Sequence, residues 1–235
     1  MVCAGVPATA GVDGAGITVM GSLAGGLEGA RDQVAATGPV SRRLEELQLT
    51  VGEGPCLDAY ATGMPVLVAD LASGFTPWLA FAPEAQAAGA SAVFSLPLQV
   101  GAVRLGTLDL YRSRPGDLSR EQLAAALAVA ETATELLLEN SDPDADPGED
   151  VGWLSGVHAD VHIASGVVSV QSGVDVGAAL LRLRAYAFAH AEPLHEVARR
   201  VIEHTLVLAG GNLDDDPPEP PDDRQPAPDP EDDDR

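Results

Sequence analysis

The sequence predicts an α+β domain followed by a small all-helical unit and an acidic tail. Three observations predict it. Short β-branched runs alternate with helix signals as far as about residue 140, and beyond 151 every apolar run has helical spacing. Two stretches, 141–150 and 212–235, combine acid and proline with almost nothing to bury. A hydrophobic fraction of 46% and a mean hydropathy of +0.08 are enough for a sizeable core. With aromatics at only 4%, that core must be built from Ala, Val and Leu.

The elements follow in order. Gly16–Met20 and Val66–Asp70 are short β-branched runs bounded by turn residues. Val93–Val100 and Val103–Tyr111 flank Gly101-Ala102, and glycine at the first central position suits a type II′ hairpin. Ser41–Leu49 reads as a helix with Leu44, Leu47 and Gln48 on one side. Gly52-Glu-Gly-Pro55 reads as a chain reversal rather than a phosphate loop, because it lacks the lysine and the helix start. Ser119-Arg-Glu-Gln122 is a capping box that opens a helix to about Asn140, with Leu123, Leu127, Ala130, Leu137 and Leu138 as its apolar positions.

In the second unit, Leu154–Gln171 carries two stripes, one through Val157, Val161, Ala164 and Val168 and one through Ile163, Val167 and Val170. A helix apolar on two faces needs a second surface to cover it. Val176–Ala191 places Val176, Leu180, Leu183 and Ala187 on one face behind an Asp175 N-cap. Pro193 opens a third helix whose stripe runs through Leu194, Val197, Ala198, Val201 and Ile202. Three short helices make a bundle.

The net charge of −23 is unevenly spread. The domain at 1–140 carries −8, the linker at 141–150 carries −5, the unit at 151–211 carries −1, and the tail at 212–235 carries −9. The tail should therefore be disordered. No run approaches the roughly 18 apolar residues of a membrane span, and no secretory signal opens the chain. The two cysteines, Cys3 and Cys56, cannot staple a secreted scaffold. A cytoplasmic protein without membrane contact is expected.

Candidate chemistry is sparse. Cys56 has no histidine within its own domain, since His158, His162, His190, His195 and His204 all lie beyond residue 150. It reads as a buried structural thiol or a redox-sensing one, and no catalytic residue and no cofactor are expected. His158 and His162 stand at ligand spacing on one helix face, but two ligands do not make a structural zinc site, so no metal is expected there.

Residues 1–140 resemble a GAF domain through Gly52-Glu-Gly-Pro-Cys-Leu-Asp-Ala59, Gly63-Met-Pro-Val66, Ser95–Val100, Leu105–Tyr111 and Asp117–Gln122, in that order. The first helix of such a domain is short here, which points to a chain start inside it. Residues 153–208 resemble an ANTAR domain, the antiterminator module, through Ala164-Ser-Gly166, Gly173–Ala179, Leu183-Arg184, Ala187 and Leu194–Ala198. Ser165 and Leu180 depart from the lysine and phenylalanine that many ANTAR domains carry. The resemblance implies a dimeric regulator of transcription termination, with a GAF antiparallel sheet flanked by helices, a three-helix ANTAR bundle, a small-molecule ligand and RNA stem-loops as partners.

On that resemblance Arg182, Arg184, Arg199 and Arg200 are the expected RNA contacts, with Arg199 and Arg200 facing solvent opposite the Val197/Val201 stripe. Arg184 has the alternative of pairing with an acid such as Glu196, and Tyr186 either stacks on a base or packs. Trp78 and Phe81 are candidate walls of the ligand pocket, or core filling. Two other functions stay open: an interaction module that has lost RNA binding, favoured by Ser165 and the near-neutral charge, and a Cys56 redox sensor.

Overall fold

A computed structural model describes residues 5–23, 27–73, 76–139 and 159–208. The linker at 141–150, the start of the first C-terminal helix at 154–158, and the tail lie outside the described residues. Five antiparallel strands form one sheet in the order β2-β1-β5-β4-β3, with β1 at Gly14–Leu23, β2 at Leu27–Ala36, β3 at Val66–Val68, β4 at Ala92–Val100 and β5 at Val103–Arg112. β4 and β5 pair from Ala92–Arg112 to Val100–Val103 across Gly101-Ala102, where Gly101 takes φ 58° and Ala102 does not turn positive, as a II′ turn requires.

Alternation along β4 and β5 divides the sheet into two faces. Phe94, Leu96, Leu98, Leu108 and Leu110 belong to a core shared with two helices, α1 at Val6–Ala10 and α5 at Arg120–Glu139. The other face carries Val93, Ser95, Asp109 and Tyr111 toward α2 at Pro39–Val51 and α4 at Phe81–Ala87. Between those two, α3 at Pro55–Thr62 and a 3₁₀ turn at Leu71–Ser73 close the layer.

Several expectations change. β2 carries no β-branched residue but Val34, and edge pairing with β1 makes it a strand. A helix does start at Pro55, directly after the Gly52–Gly54 reversal. On α5 the capping box forms, with Gln122 N–H donating to Ser119 Oγ at 3.2 Å and Ser119 N–H to Gln122 Oε1 at 2.8 Å. Its buried face, however, runs through Ala126, Ala130, Ala133 and Thr134, while Leu127 and Leu138 are exposed. Alanines at i, i+4 and i+7 let the helix approach the sheet more closely than leucines would.

The C-terminal helices are α6 at Ala159–Ser172, α7 at Val176–Ala189 and α8 at Leu194–Ile202. Asp175 Oδ1 accepts from Ala178 N–H at 3.0 Å, the expected cap, and Pro193 is the N-cap of α8 rather than its first residue. α7 ends before Ala191, whose φ of 53° no helix accommodates. Val161, Ala164, Val168, Leu183, Leu194, Val197 and Val201 form the core of the unit. The second stripe of α6 divides, with Val167 packed against the core while Ile163 at 54% and Val170 at 86% exposure stay open.

Gly106 sits where β5 crosses closest to β1. A Cβ there would lie 2.0 Å from the Thr18 carbonyl oxygen, which is backbone and cannot swing aside. Gly106→Ala should therefore destabilise the protein by about 1–3 kcal/mol, read by urea unfolding, where a surface substitution would stay within about 0.5.

Candidate functional site

The site begins with α2. From Leu44 to Thr50 only Glu46 keeps appreciable solvent contact. One side of this stretch presses on the sheet, and Gly16 of β1 makes room for it, since a Cβ there would come 2.6 Å from Glu45 Oε1. Glu45 accepts a 2.6 Å hydrogen bond from the Thr18 hydroxyl. Beside it, Asp109 of β5 accepts from the hydroxyls of Ser95 and of Thr107, the latter at 2.8 Å. Burial pushes the Asp109 carboxyl up to about 6, against the hydrogen bonds from Ser95, Thr107 and Glu45 that favour its charge.

Cys56 completes the group. α2 stops at Gly52, whose φ of 73° provides the left-handed terminus. Gly54 then takes φ 142° beneath the Gln48 side chain, whose Oε1 would lie 2.5 Å from a Cβ at that position. This hairpin of helices brings Cys56 N–H within 2.9 Å of Gln48 Oε1 and buries the thiol. The donor atoms of Glu45, Cys56 and Asp109 lie within 4.8 Å of one another. Glu45 and Asp109, though not Cys56, line a cavity of about 10 Å³, room for one water-sized species, together with Gly16, Gln48, Phe81 and Ser95 among others. The lining holds no Arg, Lys or His.

Phe81 thus borders the cavity, while Trp78 packs edge-on against it at 6.1 Å and donates from its indole N–H to Asp58 Oδ2 at 3.0 Å. Glu53, which no sequence signal points to, positions Phe81: its Oε1 accepts from Ala80 N–H at 2.6 Å and Phe81 N–H at 3.1 Å and so caps α4.

The family model described as GAF domain matches residues 9–137, more than half of the chain. The chain belongs to the GAF domain family. That makes the N-terminal half a module of the small-molecule sensing and signalling kind. Among solved structures the chain is similar to the domain of a putative two-component sensor histidine kinase from Sinorhizobium meliloti 1021, at 18% identity over 58% of this chain and 86% of that one, TM-score 0.43. It is also similar to the GAF domain of a phosphoenolpyruvate-protein phosphotransferase from Coxiella burnetii, at 17% identity over 57% and 76%, TM-score 0.46. A third is a type II free methionine-R-sulfoxide reductase from Thermoplasma acidophilum, at 19% identity over 55% and 80%, TM-score 0.40. No curated protein matches the chain.

The other side of α2 docks on the C-terminal helices. Leu49, 4% exposed, is part of their core rather than of the GAF core. Arg184 Nε donates to the Leu49 carbonyl at 2.9 Å, its guanidinium resting over Gly52 at 3.0 Å from where a Cβ would stand. His195 Nδ1 lies 2.7 Å from Glu46 Oε1. The acid expected for Arg184, Glu196, binds Arg199 instead. Arg199 is exposed as expected, whereas Arg200 is half-buried, held 2.7 Å from Glu192 Oε2 with its guanidinium 5.9 Å from the Tyr186 ring centre. Arg182 is half-buried too. Tyr186 is buried and stacks on His190 at 3.9 Å, so in this arrangement it packs. Ser165 is buried, its hydroxyl donating to the Val161 carbonyl at 2.7 Å. His158, and with it the His158/His162 pair, lies outside the described residues.

Because the folded Asp109 carboxyl titrates above its ordinary 3.8, its contribution to stability is full below that value and is lost as pH rises through about 6. Asp109→Asn should therefore gain stability relative to the parent protein between pH 4.5 and pH 7.5. Parallel chemical denaturation at the two pH values checks the sign.

Proposed function

We propose that the chain is a cytoplasmic, dimeric regulator in which the GAF domain senses a small ligand and controls RNA stem-loop binding by the C-terminal helices, an ANTAR-like unit. One observation carries the reading. A single turn of α2 puts Glu45 and Gln48 on the sensor cavity and Glu46 and Leu49 on the C-terminal helices. A ligand that favours one arrangement of α2 would shift the other side by the same free energy. The exposed Ile163 and Val170 on α6 support dimerisation, since a partner would cover them. No step of this reading needs catalytic chemistry.

The second reading, an interaction module without RNA binding, is favoured by two observations. Arg184, Arg199 and Arg200 are all engaged within the chain, and Ser165 offers no charge. The full-length protein, titrated with a pair of adjacent RNA stem-loops and a scrambled control, separates the two. Arg199→Ala with Arg200→Ala should weaken binding and lower its salt slope by about one unit per lost phosphate contact. The exposed Arg199 should leave stability within about 0.5 kcal/mol, with somewhat more for Arg200 because it loses Glu192. Unchanged affinity for the paired stem-loops in the double variant would select the second reading.

A further inference from the structure

The sensor cavity is too small for an organic ligand in the arrangement described, and its wall is one-sided in charge. Two carboxylates line it, Glu45 on α2 and Asp109 on β5, the Cys56 thiol on α3 stands behind that lining within 4.8 Å of both, and no cationic side chain lines it. Two carboxylates in an interior of low dielectric do not both stay ionised unless something positive sits with them. That positive species is a shared proton, as in the Glu45–Asp109 hydrogen bond, or a metal ion that replaces it. The neighbouring thiol gives the second a third donor, since a borderline cation such as Zn²⁺ accepts one thiolate together with carboxylate oxygens.

We propose that this cavity is a binding site for a single divalent transition cation of the Zn²⁺ class, held by Glu45, Cys56 and Asp109. Donors within 4.8 Å of one another need to close by only about 1 Å to reach the separations of a tetrahedral shell with bonds of roughly 2.0–2.3 Å. The cavity volume of about 10 Å³ leaves a fourth position for water. Thr18, Ser95 and Thr107 already orient the two carboxylates, which is the part that supporting hydrogen bonds play around a metal. Binding displaces the protons of Cys56 and of the carboxylate pair, so affinity rises with pH. The ion draws Glu45 toward β5 and thereby pulls on the turn of α2 that carries Leu49. The inference rests on reading this cavity as the sensor site, although the binding itself is measured without RNA.

The experiment titrates reduced, chelator-treated full-length protein with Co²⁺ and then displaces it with Zn²⁺. One equivalent of Co²⁺ with a thiolate-to-metal charge-transfer band in the near ultraviolet is expected. Cys56→Ser should abolish the band and Cys3→Ser should keep it. Asp109→Asn, which removes a buried charge with little change of shape, should weaken Zn²⁺ binding at least tenfold and serves if Cys56→Ser does not fold. No band in the parent protein, a band that survives Cys56→Ser, or parent-like Zn²⁺ affinity in Asp109→Asn would each overturn the proposal and leave the shared proton. Metal uptake that leaves RNA affinity unchanged would keep the site and remove its signalling role. RNA binding regulated by another ligand in a protein that takes up no metal would do the reverse.

Discussion

A helix buried on opposite sides has little solvent face into which a change can relax, and α2 is such a helix from Leu44 to Thr50, where only Glu46 keeps appreciable solvent contact. Its inner side holds a carboxylate against the sheet and its outer side inserts Leu49 into a different core. Side chains in both cores are close-packed, so a displacement of a few tenths of an ångström at Glu45 has to be taken up at Leu49 or by the turn that follows. That turn is itself constrained, with Gly52 supporting Arg184 and Gly54 lying beneath Gln48. The coupling proposed between the GAF domain and the C-terminal helices thus needs only one helix and its cap, and no long chain of intermediates.

Electrostatics sets the character of the inner side. Asp109 and Glu45 sit together because three hydroxyls satisfy their oxygens, yet hydroxyls supply no countercharge. The arrangement is costly when both acids are ionised and comfortable when they share one positive charge. A fold does not keep such a pair for stability alone, since a well-packed apolar pair of the same volume is often as stable. On the proposed reading, the pair is what would make the N-terminal domain responsive to whatever brings that charge.

The sheet and most helices were legible because their signals are local. The Ser119–Gln122 box, the Asp175 cap and the period-two runs of β4 and β5 each lie within one element. What escaped is non-local. β2 is a strand because β1 pairs with it, and α4 is capped by Glu53 from 27 residues away. The Pro55 start of α3 carried a readable signal, proline at the first helical position after glycine, but the preceding glycines read as a turn alone. The site was the least legible part. The sequence shows only that Cys56 lies far from any histidine, while its actual neighbours, Glu45 and Asp109, come from 11 residues before and 53 after it and meet only in the fold. Arg184 likewise has a sequence pattern that points to acids on its own bundle, and its partner is a carbonyl of the GAF domain.

The central claim is that α2 transmits a change from the cavity to the C-terminal helices, and amide hydrogen exchange on the full-length protein tests it most directly. Glu45→Gln alters the cavity side of α2, where Glu45 meets Thr18, Gly16 and Asp109. If α2 couples the two, exchange should change not only across 39–51 but also in α7 around Leu183–Ala187 and at the start of α8. Altered exchange confined to the sheet and α2, with 176–202 indistinguishable from the parent protein, would contradict the account.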